Sequence, residues 1–131
     1  FAWLYNPESQ TIDTNYYNRK NLLEKWYEGG EIKTPFKRAI QVNFEKAFNY
    51  LLQSTTADLV LDRAVEIDKF LEDKKSFISH IIHDEIVIDL DESERHLTPE
   101  IKSIFSETPF GEYMVNLHAG KNYFDLKELK L

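Results

Sequence analysis

The sequence predicts an α+β fold in which an antiparallel sheet carries a long helix, and three observations predict it. Ala57, Leu61, Ala64, Ile67 and Leu71 fall on one helical stripe within the longest periodic stretch, Phe44–Leu71, with Asp62, Arg63, Glu66 and Lys69 off it. Two β-branched runs, Phe77-Ile78-Ser79-His80-Ile81-Ile82 and Ile86-Val87-Ile88-Asp89-Leu90, flank the polar tripeptide His83-Asp84-Glu85 and read as a hairpin. A chain of 131 residues, 42% apolar and 30% charged, is long enough and apolar enough to bury a hydrophobic core.

The elements follow in order. Phe1-Ala2-Trp3-Leu4-Tyr5 is an apolar helical tail stopped by Asn6-Pro7, because proline disfavours helix at the residue before it. After polar residues 8–18, Leu22, Leu23, Trp26 and Tyr27 are spaced for one helix face over residues 21–27, and Gly29-Gly30 ends it. Residues 31–42 mix Ile32, Phe36, Ile40 and Val42 with Lys33, Lys37 and Arg38 around Pro35, which predicts an extended or hairpin segment with a small basic patch. Ser54-Thr55-Thr56 interrupts the long helix and offers N-caps for its second half. Beyond the hairpin, Asp91 to Glu94 reads as a solvated acidic turn, residues 99–105 as a helix and residues 113–118 as a third strand. The expected division is residues 1–43 and 44–131.

Composition narrows the function classes. There is no cysteine, which excludes disulfides, thiolate zinc sites and thiol catalysis. No apolar run approaches the ~20 residues that span a bilayer, so no membrane partner is expected. The opening residues offer neither a basic n-region nor a cleavage site, and the expected compartment is the cytoplasm. A net charge of −7 argues against a self-sufficient nucleic-acid binder, since phosphate neutralisation needs Lys and Arg. The immediate apolar start reads as a break inside a buried helix, in a processed chain or one piece of a larger assembly.

His83-Asp84-Glu85 is the candidate site. Adjacent acids between apolar strands repel, and burying part of either is costly without a cation or hydrogen bonds. The plain alternative is a solvated β-turn whose acids mark the bend. His80-x-x-His83 has a zinc-like spacing, but i and i+3 share a face on a helix and not on a strand. Carboxylates favour hard ions such as Mg²⁺. No serine sits in a nucleophile-elbow context, which leaves Ser-His-Asp catalysis without support.

Apolar strand, His83-Asp84-Glu85, apolar strand resembles motif C of family A (polymerase-I-like) DNA polymerases. Four further segments are similar to that family, in its order. Phe1-Ala2-Trp3-Leu4-Tyr5-Asn6 resembles the Phe-x-x-x-Tyr-Gly end of motif B. Thr34-Pro35-Phe36-Lys37-Arg38 resembles its Thr-x-x-Gly-Arg hairpin, with Lys37 in place of the glycine. Asn49-Tyr50-Leu51-Leu52-Gln53-Ser54-Thr55-Thr56-Ala57-Asp58 resembles Asn-x-Pro-x-Gln-Gly-Thr-Ala-Ala-Asp, with Leu51 for proline and Ser54 for glycine. Gly120-Lys121-Asn122-Tyr123 resembles the closing Gly-x-Asn-Trp/Tyr.

The resemblance implies a palm-type antiparallel sheet and template-directed addition of dNTPs to a primer 3′-hydroxyl by two Mg²⁺ ions about 4 Å apart. It implies Asp84 as a metal-binding aspartate, Glu85 as a neighbouring acid near the metals and His83 beside the primer terminus. Phe1 and Tyr5 would meet the incoming nucleotide. Asn49, Gln53, Ser54, Thr55 and Arg38 would contact primer–template DNA. Motif A with the second metal-binding aspartate, the triphosphate-gripping part of motif B and the thumb have no counterpart in the sequence. The expectation is therefore a split enzyme, of virus or phage type and acting in the host cytoplasm, in which an upstream polypeptide supplies those parts. The competing expectations are a catalytically silent nucleic-acid-binding or assembly module with a palm fold, and an unrelated acidic α+β interaction domain.

Overall fold

The computed structural model describes residues 19–130, so the segment Phe1 to Tyr5, expected from the sequence to be helical and to carry Phe1 and Tyr5 as nucleotide contacts, lies outside the described residues. Within them the chain is α+β. In order it runs α1 (Arg19–Trp26), β1 (Tyr27–Glu28), β2 (Glu31–Lys33), β3 (Ala39–Gln41) and α2 (Phe44–Leu71). Then follow β4 (Phe77–Ile82), β5 (Glu85–Asp89), a 3₁₀ segment (Glu92–Leu97), α3 (Thr98–Ser106) and short strands β6 (Glu107–Thr108), β7 (Gly111–Glu112), β8 (His118–Ala119) and β9 (Lys127–Glu128). Contacts divide the chain into two compact units, one ending at Asp58 and the other beginning at Leu59.

In the first unit Gly29 and Gly30 both adopt positive φ, 62° and 77°, the signature of the type I′ turn that joins two strands with their native twist. Here the expectation needs a correction. The glycines end a hairpin strand rather than the helix, which stops at Trp26, and Tyr27 pairs with Ile32 in β2. β2 also pairs with β3, giving a three-stranded antiparallel sheet in the order β1-β2-β3. Ile32 is fully buried among Leu23, Ala47, Phe48 and Leu51, with Trp26, Tyr27, Ile40 and Val42 packed around them. The Tyr27 and Phe44 rings meet edge to face, centroids 5.5 Å apart.

α2 is one unbroken 28-residue helix. Asn43 caps it, its Oδ1 accepting from the Lys46 amide at 3.1 Å. Ser54-Thr55-Thr56 does not interrupt it; the Thr56 hydroxyl bonds back to the Leu52 carbonyl at 2.9 Å, satisfying itself inside the helix. The buried stripe is also shifted from the expected one. Val60, Ala64, Ile67 and Leu71 face inward, whereas Ala57 and Leu61 are exposed. At about 100° per residue Val60, Ala64, Ile67 and Leu71 stay within a narrow stripe, whereas Leu61, one residue on from Val60, is turned about 100° away from it.

In the second unit Ile67 and Leu71 pack with Leu97 and Ile101 of the 3₁₀–α3 stretch, and Ile78, Ile86, Ile88 and Leu90 of the hairpin close over them. The hairpin therefore packs on the long helix, as expected. Arg63 finishes α3: its Nη1 donates to the Glu107 carbonyl at 2.7 Å and to the Ile104 carbonyl at 3.4 Å, supplying positive charge where the helix leaves carbonyls unpaired.

Residues 113–118 do not form a third strand. Gly111 and Glu112 pair with Thr108 and Glu107, and His118 and Ala119 pair with Glu128 and Lys127. Among the described residues the strands make four separate small antiparallel sheets rather than one. Residues 110–129 leave Phe110, Tyr113, Met114, Tyr123, Phe124, Leu126 and Leu129 exposed, too few of them buried to organise a long strand.

Candidate functional site

The hairpin that carries His83-Asp84-Glu85 has a two-residue loop. Ile82 pairs with Glu85, so Glu85 opens β5 and only His83 and Asp84 turn the chain. His83 has φ 53° and Asp84 does not share the positive sign, the sign pattern of a type II′ turn. Histidine tolerates that region better than bulky or β-branched residues do. A β-bulge lies at Ser79, between the Ile78–Ile88 and His80–Val87 pairs. The extra residue puts Ile78 and Ile81 on the same face although they stand three apart, matching Ile88 and Ile86 opposite. Ser79 Oγ donates to the Val87 carbonyl at 3.2 Å and accompanies the Nδ1 of His80 at 2.9 Å.

His83, Asp84 and Glu85 are all exposed. Asp84 and His83 make no hydrogen bond or ion pair among the described residues. Glu85 accepts from the Tyr123 hydroxyl at 3.2 Å. That bond, and then the Glu85 charge, push the Tyr123 phenol above its ordinary value. The two neighbouring acids are thus chemically unlike: one carboxylate is unencumbered and the other is engaged on one oxygen. They are oxygen donors of the kind Mg²⁺ takes. Among the described residues no group of three or more His, Asp and Glu side chains gathers around a common point.

A second constellation lies in the first unit. Residues 34–38 form a three-residue hairpin loop, with the Lys37 amide donating to the Thr34 carbonyl at 2.8 Å and the Thr34 amide to the Arg38 carbonyl at 2.9 Å. Pro35 sits where φ near −65° suits the turn, and Lys37 closes it at φ 66°. This places Arg38 over α2. Its Nε and Nη2 donate to Asp58 Oδ2 and Oδ1 at 3.2 and 3.1 Å, and Nη2 reaches the Ser54 carbonyl at 3.2 Å. The buried Thr34 hydroxyl donates to the same Asp58 at 3.1 Å. A fork-shaped guanidinium on a largely covered carboxylate is a strong, directional pair.

Two sequence segments quoted above, residues 34–38 and 49–58, are therefore bonded through Thr34, Arg38, Ser54 and Asp58. Asn49 and Gln53, four apart on α2, are exposed on the same side, while Ser54 and Thr55 are half-buried. Arg38 remains 48% exposed along its side chain while its charge is paired with Asp58.

Four positions whose side chains the structure shows bonded have no role in the sequence reading: Asp58, Tyr123, Asp91 and Glu94. Asp58 was part of a quoted segment without a role, and a lone acid late in a helix gives no local sign of its partner. Tyr123 was likewise quoted but unassigned; 38 residues separate it from Glu85. Asp91 and Glu94 read as solvated, which the structure corrects. Glu94 accepts from the Lys75 amide at 3.0 Å and from the Ser76 amide and hydroxyl at 2.8 and 2.6 Å, and the Asp91 amide donates back to Ser76 Oγ at 2.9 Å. The Ser76 bond, then the Lys75 amide, hold the Glu94 carboxyl below its ordinary value. Asp91 caps the 3₁₀ segment through Ser93, which lowers its carboxyl too. The Asp91-x-Ser93 spacing was the available signal. No family model, curated protein or solved structure matches the chain.

Proposed function

We propose that this chain is the C-terminal palm portion of a family A-like DNA polymerase, working in the cytoplasm on primer–template DNA and dNTPs. The observation that carries the reading is Asp84: an exposed carboxylate with no partner of its own among the described residues, at the tip of a two-residue turn between apolar strands. A stiff turn is a good mount for a ligand that must not move. Two observations add support. The segments at 34–38 and 49–58 are tied together by Thr34, Arg38, Ser54 and Asp58. Lys37, where the family has glycine, adopts the left-handed conformation that favours glycine.

Divalent ions, when bound, neutralise charge developing on the transferring phosphoryl group. The chain's own residues do the rest. Asp84 is the ligand this chain contributes, and the remaining carboxylate comes from a partner polypeptide. His83 offers a hydrogen-bond donor beside the primer end. Exposed Asn49 and Gln53 are neutral amides suited to following duplex shape without strong base preference.

Asp84→Ala tests this in primer extension by the chain mixed with candidate upstream polypeptides. Loss of a metal carboxylate removes several kcal/mol of transition-state stabilisation, a fall of roughly 10³-fold or more. Assembly should survive, since Asp84 is exposed and its side chain bonds to none of the described residues. Unchanged extension sinks the reading. A silent assembly module is the second reading, favoured by the exposed side chains of residues 110–129, Met114 at 92% and Phe124 at 94% among them. It requires assembly with no Asp84-dependent synthesis.

A further inference from the structure

The segment around residues 120–126 is a built loop. The β8–β9 ladder closes it, and the Leu129 amide extends that ladder to the Leu117 carbonyl at 2.8 Å. Within it Asn122 Oδ1 accepts from the Phe124 and Asp125 amides at 3.0 and 2.9 Å, and Nδ2 donates to Asp125 Oδ2 at 3.1 Å. Gly120 leaves no alternative residue at its position, because the Asp125 carbonyl occupies the space a Cβ would need. Gly120 and Asn122 thus fix the path of the loop. The residue they deliver is Tyr123.

Tyr123 makes the one side-chain hydrogen bond that reaches His83, Asp84 or Glu85 from outside the hairpin among the described residues. A turn of two exposed residues has little else to hold it. We infer that Tyr123 is a positioning residue for the Asp84 turn: its hydroxyl takes up one oxygen of Glu85, steadies the end of the ladder and leaves Asp84 as the free carboxylate for a divalent cation. The inference rests on the polymerase reading for the cation and on the hydrogen bond alone for the tether.

Two measurements on the 131-residue chain separate those supports. Amide exchange at Ile82 and Glu85, the pair closing the ladder, reports the tether without any activity. Tyr123→Phe keeps the ring and removes the donor, and should speed exchange roughly three- to tenfold. Glu85→Ala should do the same, and the double variant should add nothing further, because both remove one bond. Unchanged exchange in Tyr123→Phe, or additive effects, overturns the tether.

The second measurement is Mg²⁺ dependence of primer extension after assembly with an upstream polypeptide. In Tyr123→Phe the Mg²⁺ concentration for half-maximal rate should rise roughly three- to tenfold, more than the saturating rate falls. Faster exchange with an unaltered Mg²⁺ requirement overturns the positioning role, since the bond would then be purely local. Absence of extension by the unmodified chain with every partner overturns the polymerase reading, and exchange still decides whether Tyr123 holds the turn.

Discussion

Lys37 is a residue at odds with its own backbone. Its φ of 66° closes the Thr34–Arg38 loop in a conformation where a Cβ meets the carbonyl, and only glycine escapes that cost. Lys37→Gly should stabilise the fold by roughly 0.5–1 kcal/mol, after allowing for glycine's greater freedom in the unfolded chain. A higher urea midpoint at unchanged slope is the expected result. Residue chemistry of this sort was partly legible in the sequence. Gly29-Gly30 announced a break in the chain, though not that it turns a hairpin, and Pro35 marked an extended or hairpin segment. The left-handed residues Lys37 and His83 were not, because neither side chain advertises positive φ and the loop lengths on either side decide it. Partners far along the chain were equally hidden, as with Arg38 and Asp58 or Tyr123 and Glu85.

At the level of elements, the entrance to the hairpin depends on one carboxylate. Glu94 ties down the Lys75 and Ser76 amides and the Ser76 hydroxyl just before β4 begins. Its folded pKa is depressed, so the bonds contribute fully above the unfolded value and are lost as pH falls through the folded one. The hairpin should therefore loosen on acidification below the ordinary glutamate range. Glu94→Gln should flatten that acid limb in a circular-dichroism titration and lower stability at neutral pH.

The long helix and the hairpin were readable from periodicity, down to the ends of Phe44–Leu71. The inward stripe was legible at Ala64, Ile67 and Leu71 and misread at Ala57 and Leu61, because Ala57, Leu61 and Val65 also repeat at helical spacing and a helix with apolar residues on two sides does not say which side is covered. The hairpin's uneven alternation comes from the Ser79 bulge, which sequence pattern alone presents as noise. The 113–118 strand failed for want of a partner: alternation predicts a pleat, and pairing needs an opposite strand in register.

At the scale of the whole molecule, the described residues bury two apolar clusters, one around Ile32 and one around Ile67. Ile67 is 1% exposed, and Ile67→Ala should cost about 2–5 kcal/mol through lost burial and the cavity left behind. Amide exchange should rise most in β4, β5 and α3, whose apolar faces close on Ile67, and less in β2 and β3, which pack around Ile32. Equal effects on both groups would show a single cooperative core.

The candidate site and the second cluster share one constraint, the length of the His83-Asp84 turn. Strand side chains alternate with period two, so a single inserted residue there must either rebuild the tip as a longer loop or, if the two-residue turn is kept, slip the register and rotate Ile86 and Ile88 toward water. Substitution at the tip is cheap for packing, whereas insertion forces one of those two changes. Variation in this hairpin is therefore free to rewrite its chemistry letter by letter, but a change in its count of letters must answer to the oil beneath it.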